Sequence, residues 1–121
     1  MQIDKIHGKN MELTSAIEDY VEKRVSVLRK LVKRMQPAKI SVEVGKPSDH
    51  HNKGDVYYAE FSADVKGEKF YASERAESLY EAIDKVQASI KRQIVDWKKK
   101  GDAKTKKQGR SWKSFMRFGN K

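Results

Sequence analysis

Residues 79–100 read LYEAIDKVQASIKRQIVDWKKK, and their spacing decides the fold. Leu79, Ile83, Val86, Ile90, Ile94 and Trp97 recur at steps of three and four, which lays them along one stripe of an α-helix, the stripe that seeks a core. At about 100° per residue, Lys85, Arg92 and Lys99 fall seven apart on another stripe, roughly opposite. One helix therefore carries an apolar anchor and a basic outer ridge, and it leads through Lys98, Lys99 and Lys100 into a basic tail. The apolar side is expected to build the fold and the basic side to meet an RNA phosphate surface.

The charge downstream supports that expectation. From Lys98 to the end there are ten Lys or Arg against one acid, Asp102, whereas residues 1–97 hold 17 basic and 16 acidic side chains. A near-neutral body with a basic appendage suits a polyanion, because released counterions drive such binding. A merely solubilising tail is the plainer alternative. Gly101-Asp102 is expected to stop the helix, and GDAKTKKQGRS, with almost no apolar residue, to be disordered in isolation. Lys106, Lys107 and Arg110 continue the charge. Trp112, Phe115 and Phe118 follow at steps of three, with Lys113 and Arg117 between them. Aromatic and cationic side chains together can stack on unpaired bases and neutralise phosphates. Docking on protein and a membrane-surface role are the alternatives, the last weak for one short turn.

Upstream, the chain supplies what the 79–100 helix must cover. Met1–His7 is a short strand candidate whose apolar members, Ile3 and Ile6, have odd spacing, so its inward face is ambiguous. Gly8, Lys9 and Asn10 make a turn. Thr14 or Ser15 caps a first helix, with Ser15 and Glu18 at capping-box spacing. Its stripe is Ile17, Val21, Val25, Leu28, Val32 and Met35, and Pro37 sets its end. This helix too has a basic ridge: Lys23, Lys30 and Arg34, with Arg29 and Lys33 nearby, while Glu18, Asp19 and Glu22 sit earlier. The helix dipole alone favours that segregation, so a solvated face is the competing explanation. Ile40, Val42 and Val44 alternate with Ser41 and Glu43 as a half-buried strand. Residues 45–55, GKPSDHHNKGD, form a turn-rich loop. Tyr57, Ala59, Phe61, Ala63 and Val65 alternate along a long strand, Lys66-Gly67 signals a hairpin, and Phe70 and Ala72 continue the inward face on the return.

The order β-α-β-β-β-α implies an α+β two-layer sandwich: a four-stranded sheet with both helices on one face. The first β-α-β step is then a right-handed crossover with parallel strands. A chain of 121 residues makes one domain, 1–100, plus a tail, 101–121. It has no cysteine, no apolar run near the ~20 residues of a membrane span and no apolar core of a secretory signal, so a soluble cytoplasmic protein is expected. No phosphate-cradling, dinucleotide, zinc-protease or nucleophile-elbow motif is present. Asp49-His50-His51 makes a poor chelate, so no metal and no cofactor are expected. Glu77, Glu81 and Asp84 lie one turn apart and are read as solvated carboxylates, with repelling RNA or setting helix orientation as the alternatives. Nothing resembles an activated nucleophile or a matched acid–base pair, so no enzyme is expected.

The opening MQIDKIHGKNMELTSAIEDYVEKR, the element order, the run Leu79-Tyr80-x-Ala82-Ile83-Asp84 and the later Arg92-Gln93 resemble the ribosome hibernation promoting factor and ribosome-associated inhibitor A family over about residues 1–100. That resemblance implies a fold like a double-stranded RNA-binding domain. It also implies a non-enzymatic factor that binds the small ribosomal subunit, through its ribosomal RNA, in the mRNA and tRNA channel and halts translation in stationary phase or stress. The family's basic helix positions carry over to Lys23 or Arg24 and Lys30, and to Arg92 and Lys98–Lys100. Ser78 and Ser89 depart from the aspartate and lysine common at those places. With 21 residues after position 100, the resemblance is to a short form, a monomer off the ribosome, with a ribosome modulation factor as cooperating or competing partner. Two other functions fit the residues less closely: a general double-stranded RNA binder, and a protein-interaction module using its basic tail.

Overall fold

The computed structural model describes residues 1–46 and 57–109, with side chains as far as residue 101. The elements are β1 (Gln2–Lys9), α1 (Ser15–Leu31), β2 (Ala38–Gly45), β3 (Tyr57–Val65), β4 (Glu68–Ala76) and α2 (Leu79–Gly109). The sheet order is β1-β2-β3-β4. β1 and β2 are parallel, while β2–β3 and β3–β4 are antiparallel. This is the expected α+β sandwich.

The spacing of Ile3 and Ile6 is resolved by a bulge. Ile3 pairs with Ile40 and Lys5 with Ser41, so Asp4 is a surplus residue with no counterpart on β2. Ile6 therefore falls opposite Val42, and both isoleucines share the inward face. The other strands alternate as their sequences do. Ile40, Val42 and Val44 of β2, Ala59, Phe61, Ala63 and Val65 of β3, and Phe70, Ala72 and Ala76 of β4 are buried beneath Ile17, Val21, Val25 and Leu28 of α1 and Leu79, Ile83, Val86, Ile90 and Ile94 of α2. Trp97 closes the far end edge-to-face on Phe70, with centroids 5.5 Å apart. The outer sheet face stays uncovered by the helices and polar, with Lys5, His7, Ser41, Glu43, Glu60 and Ser62 around one shallow depression.

Local chemistry fixes the element ends. Thr14, not Ser15, caps α1: its hydroxyl accepts from the Ile17 N–H at 3.2 Å. Ser78 caps α2 in the same way, accepting from the Glu81 N–H at 3.1 Å. The β3–β4 hairpin turns through Lys66 (φ 54°) and Gly67 (φ 89°), both left-handed as a two-residue hairpin of this twist requires. Asp64 accepts from the Gly67 N–H at 2.9 Å and from Lys69 Nζ at 2.7 Å, which hold its carboxyl below the ordinary aspartate range. At Gly45 a Cβ would stand 2.2 Å from the Lys9 carbonyl oxygen, so the β1–β2 end closes only around glycine.

Two expectations about helix ends need correction. α1 stops at Leu31, before Pro37 could act. The chain leaves the helix through Val32 and turns on a bond from the Met35 N–H to the Val32 carbonyl at 2.8 Å. Gln36 then bridges outward, donating to the Val32 carbonyl and accepting from the Ala38 N–H. Val32 is still fully buried, so its place in the apolar stripe was sound although the helix had ended. α2, in contrast, does not stop at Gly101-Asp102 and continues to Gly109. One glycine costs about 1 kcal/mol in a helix, and Ala103, the lysines and Gln108 are good helix formers that outweigh it. The expected stop at Gly101-Asp102 thus fails; residues 110–121 and the His50-His51 loop lie outside the described residues.

Candidate RNA-binding surface

The two helices lie side by side and run the same way. Near their N-termini the Tyr20 hydroxyl donates to Asp84 at 2.6 Å, and Arg24 Nε approaches the same carboxylate oxygen at 3.1 Å. Tyr80 meets Tyr20 edge-to-face at 4.8 Å. Toward the other end Lys98 Nζ donates to the Leu31 carbonyl at 2.8 Å. Asp84 thus ties the two helices together while remaining half-exposed, and its hydrogen bond, together with burial, raises the Tyr20 pKa.

Asp84 and Lys98 are fourteen residues apart and both touch α1, so the stripe that faces α1 passes through Lys91 between them. Lys91 is exposed, and inspection of the 85-92-99 ridge alone misses it. That ridge drifts, because an α-helix falls ~20° short of two full turns over seven residues. Lys85 begins it on the opposite shoulder, where its Nζ donates to the Arg75 carbonyl of β4 at 2.8 Å. Gln93 donates to the Tyr71 carbonyl at 2.9 Å along the same edge. Arg92 and Lys99 are exposed and lie progressively nearer α1. On α1, Lys23 and Lys30 are exposed, and Arg34 is exposed in the turn that follows.

The structure therefore leaves Lys23, Lys91, Arg92 and Lys99 exposed on the helices and brings Lys30, Arg34 and Lys98 together around one cleft. Lys100 is exposed and falls toward the β4 side of α2. Lys85 remains exposed but caps a strand edge, and Arg24 is half-buried with its charge matched by Asp84. Lys106 and Lys107 lie on the helical extension, where only the backbone is described. Arg110, Trp112, Phe115, Arg117 and Phe118 are outside the described residues. Because the helices are parallel, their acid-rich starts, with Glu18, Asp19, Glu77 and Glu81, lie at one end. Their base-rich ends, with Lys30, Lys33, Arg34 and Lys98–Lys100, lie at the other.

A family profile described as "Sigma 54 modulation protein / S30EA ribosomal protein" matches residues 5–101. The chain belongs to this family. Among S30EA relatives, a protein of Deinococcus radiodurans named "Ribosome hibernation promotion factor" is 29% identical over 98 residues, covering 81% of this chain and 50% of its own length. A Staphylococcus aureus protein of the same name is 28% identical over 105 residues, covering 87% and 53%. The chain thus spans about half the length of the curated relatives it matches. The Thermus thermophilus Protein Y N-terminal domain superposes with a TM-score of 0.65 at 30% identity, covering 80% of this chain and 99% of that one. A ribosomal subunit interface protein of Coxiella burnetii shares the fold, with a TM-score of 0.60 at 17% identity over 81% of this chain and 98% of that one.

Lysines and arginines on rigid helices position a polyanion without reading its sequence. Among the described residues no cluster of His, Asp and Glu could hold a metal, and no helix is long and apolar enough to cross a membrane.

Proposed function

We propose that this chain is a ribosome hibernation factor, a binding protein rather than an enzyme. On this reading it occupies the mRNA and tRNA channel of the small ribosomal subunit and blocks translation in stationary phase or stress. The observation that carries the proposal is the parallel pairing of α1 and α2, which gathers the basic ends of both helices on one outer layer. The names of the S30EA relatives point to the same partner. Residues 1–100 act as a wedge, and Lys23, Lys30, Arg34, Arg92, Lys98, Lys99 and Lys100 grip ribosomal RNA backbone by shape. Lys91 joins them. Arg24 and Lys85 serve chiefly to hold the helices and the β4 edge. Residues 101–121 form a basic arm and tail in which Lys106, Lys107, Arg110, Trp112, Phe115, Arg117 and Phe118 reach RNA or a partner, and through which a ribosome modulation factor is assisted or opposed. The protein works in the cytoplasm and is a monomer off the ribosome.

The test is co-sedimentation of ribosomes and isolated subunits with the full chain and with residues 1–100, with and without modulation factor. Both forms should travel with the small subunit, the shorter one more weakly. Failure of the full chain to sediment with either subunit overturns the proposal.

A further inference from the structure

The basic layer ends in a cleft that phosphate contacts alone do not require. It lies at the C-terminal end of α1, encloses about 350 Å³ and is lined by Lys30, Leu31, Lys33, Arg34, Met35 and Lys98. Four of these are cations and two are apolar, and among the described residues no carboxylate lines it. The clefts on the open sheet face are of another kind, because each includes glutamates or aspartates: Glu43 and Glu60 in two of them, Asp4 and Asp64 in the third.

A helix C-terminus presents carbonyl oxygens that repel an anion. Here the Leu28, Leu31 and Val32 oxygens are occupied. The Leu28 carbonyl accepts from the Val32 N–H at 3.2 Å, and the Val32 carbonyl accepts from the Met35 N–H at 2.8 Å and from Gln36 Nε2 at 3.1 Å. The Leu31 carbonyl accepts from Lys98 Nζ at 2.8 Å, which fixes that ammonium across the seam between the helices. An ammonium has three donors, so this bond leaves two to spare. A surface that only tracks a backbone needs cations at intervals. Four cations around a leucine and a thioether suit a ligand that is anionic at one end and flat and apolar at the other.

We propose that this cleft binds a nucleoside phosphate presented as an unpaired nucleotide of an RNA strand. The four cations hold its phosphate, and Leu31 and Met35 lie against its base. A thioether packs well on an aromatic base, and only an unstacked base exposes its face, since in an A-form duplex the faces are covered by stacking. The site rests on the RNA-binding reading above and deepens it: the rails supply sequence-blind affinity, and the cleft fixes where along the RNA the protein stops.

The experiment uses the full chain and two short RNA hairpins, one fully paired and one with a single bulged 2-aminopurine nucleotide, read by anisotropy and by 2-aminopurine emission. The bulged hairpin should bind more tightly, with a change in emission. Met35→Ala should weaken bulged RNA by about two- to tenfold while leaving paired RNA unchanged, and Met35→Leu should restore the preference. Lys33→Gln, at an exposed position that cannot disturb the core, should also narrow the preference and serves where Met35→Ala fails to fold. A free nucleoside monophosphate that displaces the bulged hairpin shows that the cleft takes the ligand alone. A bulge preference that withstands this competitor shows that the cleft needs the neighbouring phosphates; both outcomes uphold the site. Equal binding of the two hairpins, unchanged emission, or equal losses for both RNAs in Met35→Ala overturns it. Those outcomes leave ribosome association intact, whereas loss of co-sedimentation by the unmodified chain sinks the parent reading instead.

Discussion

One oxygen of Asp84 receives the Tyr20 hydroxyl and faces Arg24 Nε, a buried nitrogen with no hydrogen bond of good geometry. Asp84→Ala strands both partners at the helix seam. It should cost about 1–2 kcal/mol, measured by urea unfolding, once solvent screening of a half-exposed pair is allowed for. The raised pKa of Tyr20 adds a sign. Its neutral form is favoured in the fold, so this stabilisation is complete below the ordinary tyrosine value of 10.0 and fades as pH rises through the raised one. Tyr20→Phe should flatten the alkaline loss of stability. Asp64 has the opposite sense: its lowered pKa gives stability that is present above the ordinary aspartate value of 3.8 and is lost as pH falls through the lowered one. Asp64→Asn should therefore flatten the acid limb of a stability–pH curve, and an unchanged limb would refute the contribution. At this scale the sequence was only partly legible. The wheel angles placed Lys23, Lys30, Arg92 and Lys99 outward. Which shoulder of α2 meets α1 depends on packing between segments some 60 residues apart, so Lys91, Lys85 and Arg24 could not be sorted in advance.

Helix caps illustrate how a departure from a familiar residue can preserve an element. Ser78 stands where aspartate is common among the proteins this sequence resembles, yet its hydroxyl still accepts from the Glu81 N–H. Serine and aspartate are comparable caps. Ser78→Ala should lower stability by about 1 kcal/mol in thermal or urea unfolding, while Ser78→Asp should hold or slightly raise it through the dipole. The ends of α1 and α2 were the least legible features. Val32 and Met35 keep the helical spacing after the helix has ended, because a turn can bury the same side chains. Gly101 reads as a stop but is absorbed by good formers on both sides. The segment 98–109 extends roughly 18 Å at about 1.5 Å per residue. Gly101→Pro should remove helical circular-dichroism signal from this extension alone, leaving the unfolding midpoint of the body in place; an unchanged spectrum would count against the continuous helix.

For the molecule as a whole, strand alternation and two apolar helical stripes were enough to dictate the sandwich, since a sheet with one apolar face and two such helices has few ways to hide them. The direction of α1 relative to α2 follows from that topology. It aligns the acid-rich starts and base-rich ends of the two helices into one charge axis, which neither helix could build by itself. RNA or ribosome affinity should fall steeply with salt, and Arg92→Ala or Lys99→Ala should each lower affinity and reduce the log–log salt slope by about one ion. Lys85→Ala, whose ammonium is engaged on β4, should change the slope less. Equal slopes for all three and the parent chain would refute phosphate contact at these positions. The basic composition of the last 24 residues suits a polyanion, but no spacing rule identifies which polyanion.

The surplus residue in β1 has a consequence for the chain's evolvability. Removing one residue from a strand ordinarily turns every later side chain to the wrong side. Excising Asp4 would do the reverse: Ile3, Lys5, Ile6 and His7 would then alternate without interruption, and the isoleucines would keep their partners Ile40 and Val42. A chain shortened by that single codon should fold with the same pairing, checked by amide cross-peaks across β1 and β2, and deletion of Lys5 should do the same with Asp4 opposite Ser41, whereas deletion of Ile6 should not be tolerated.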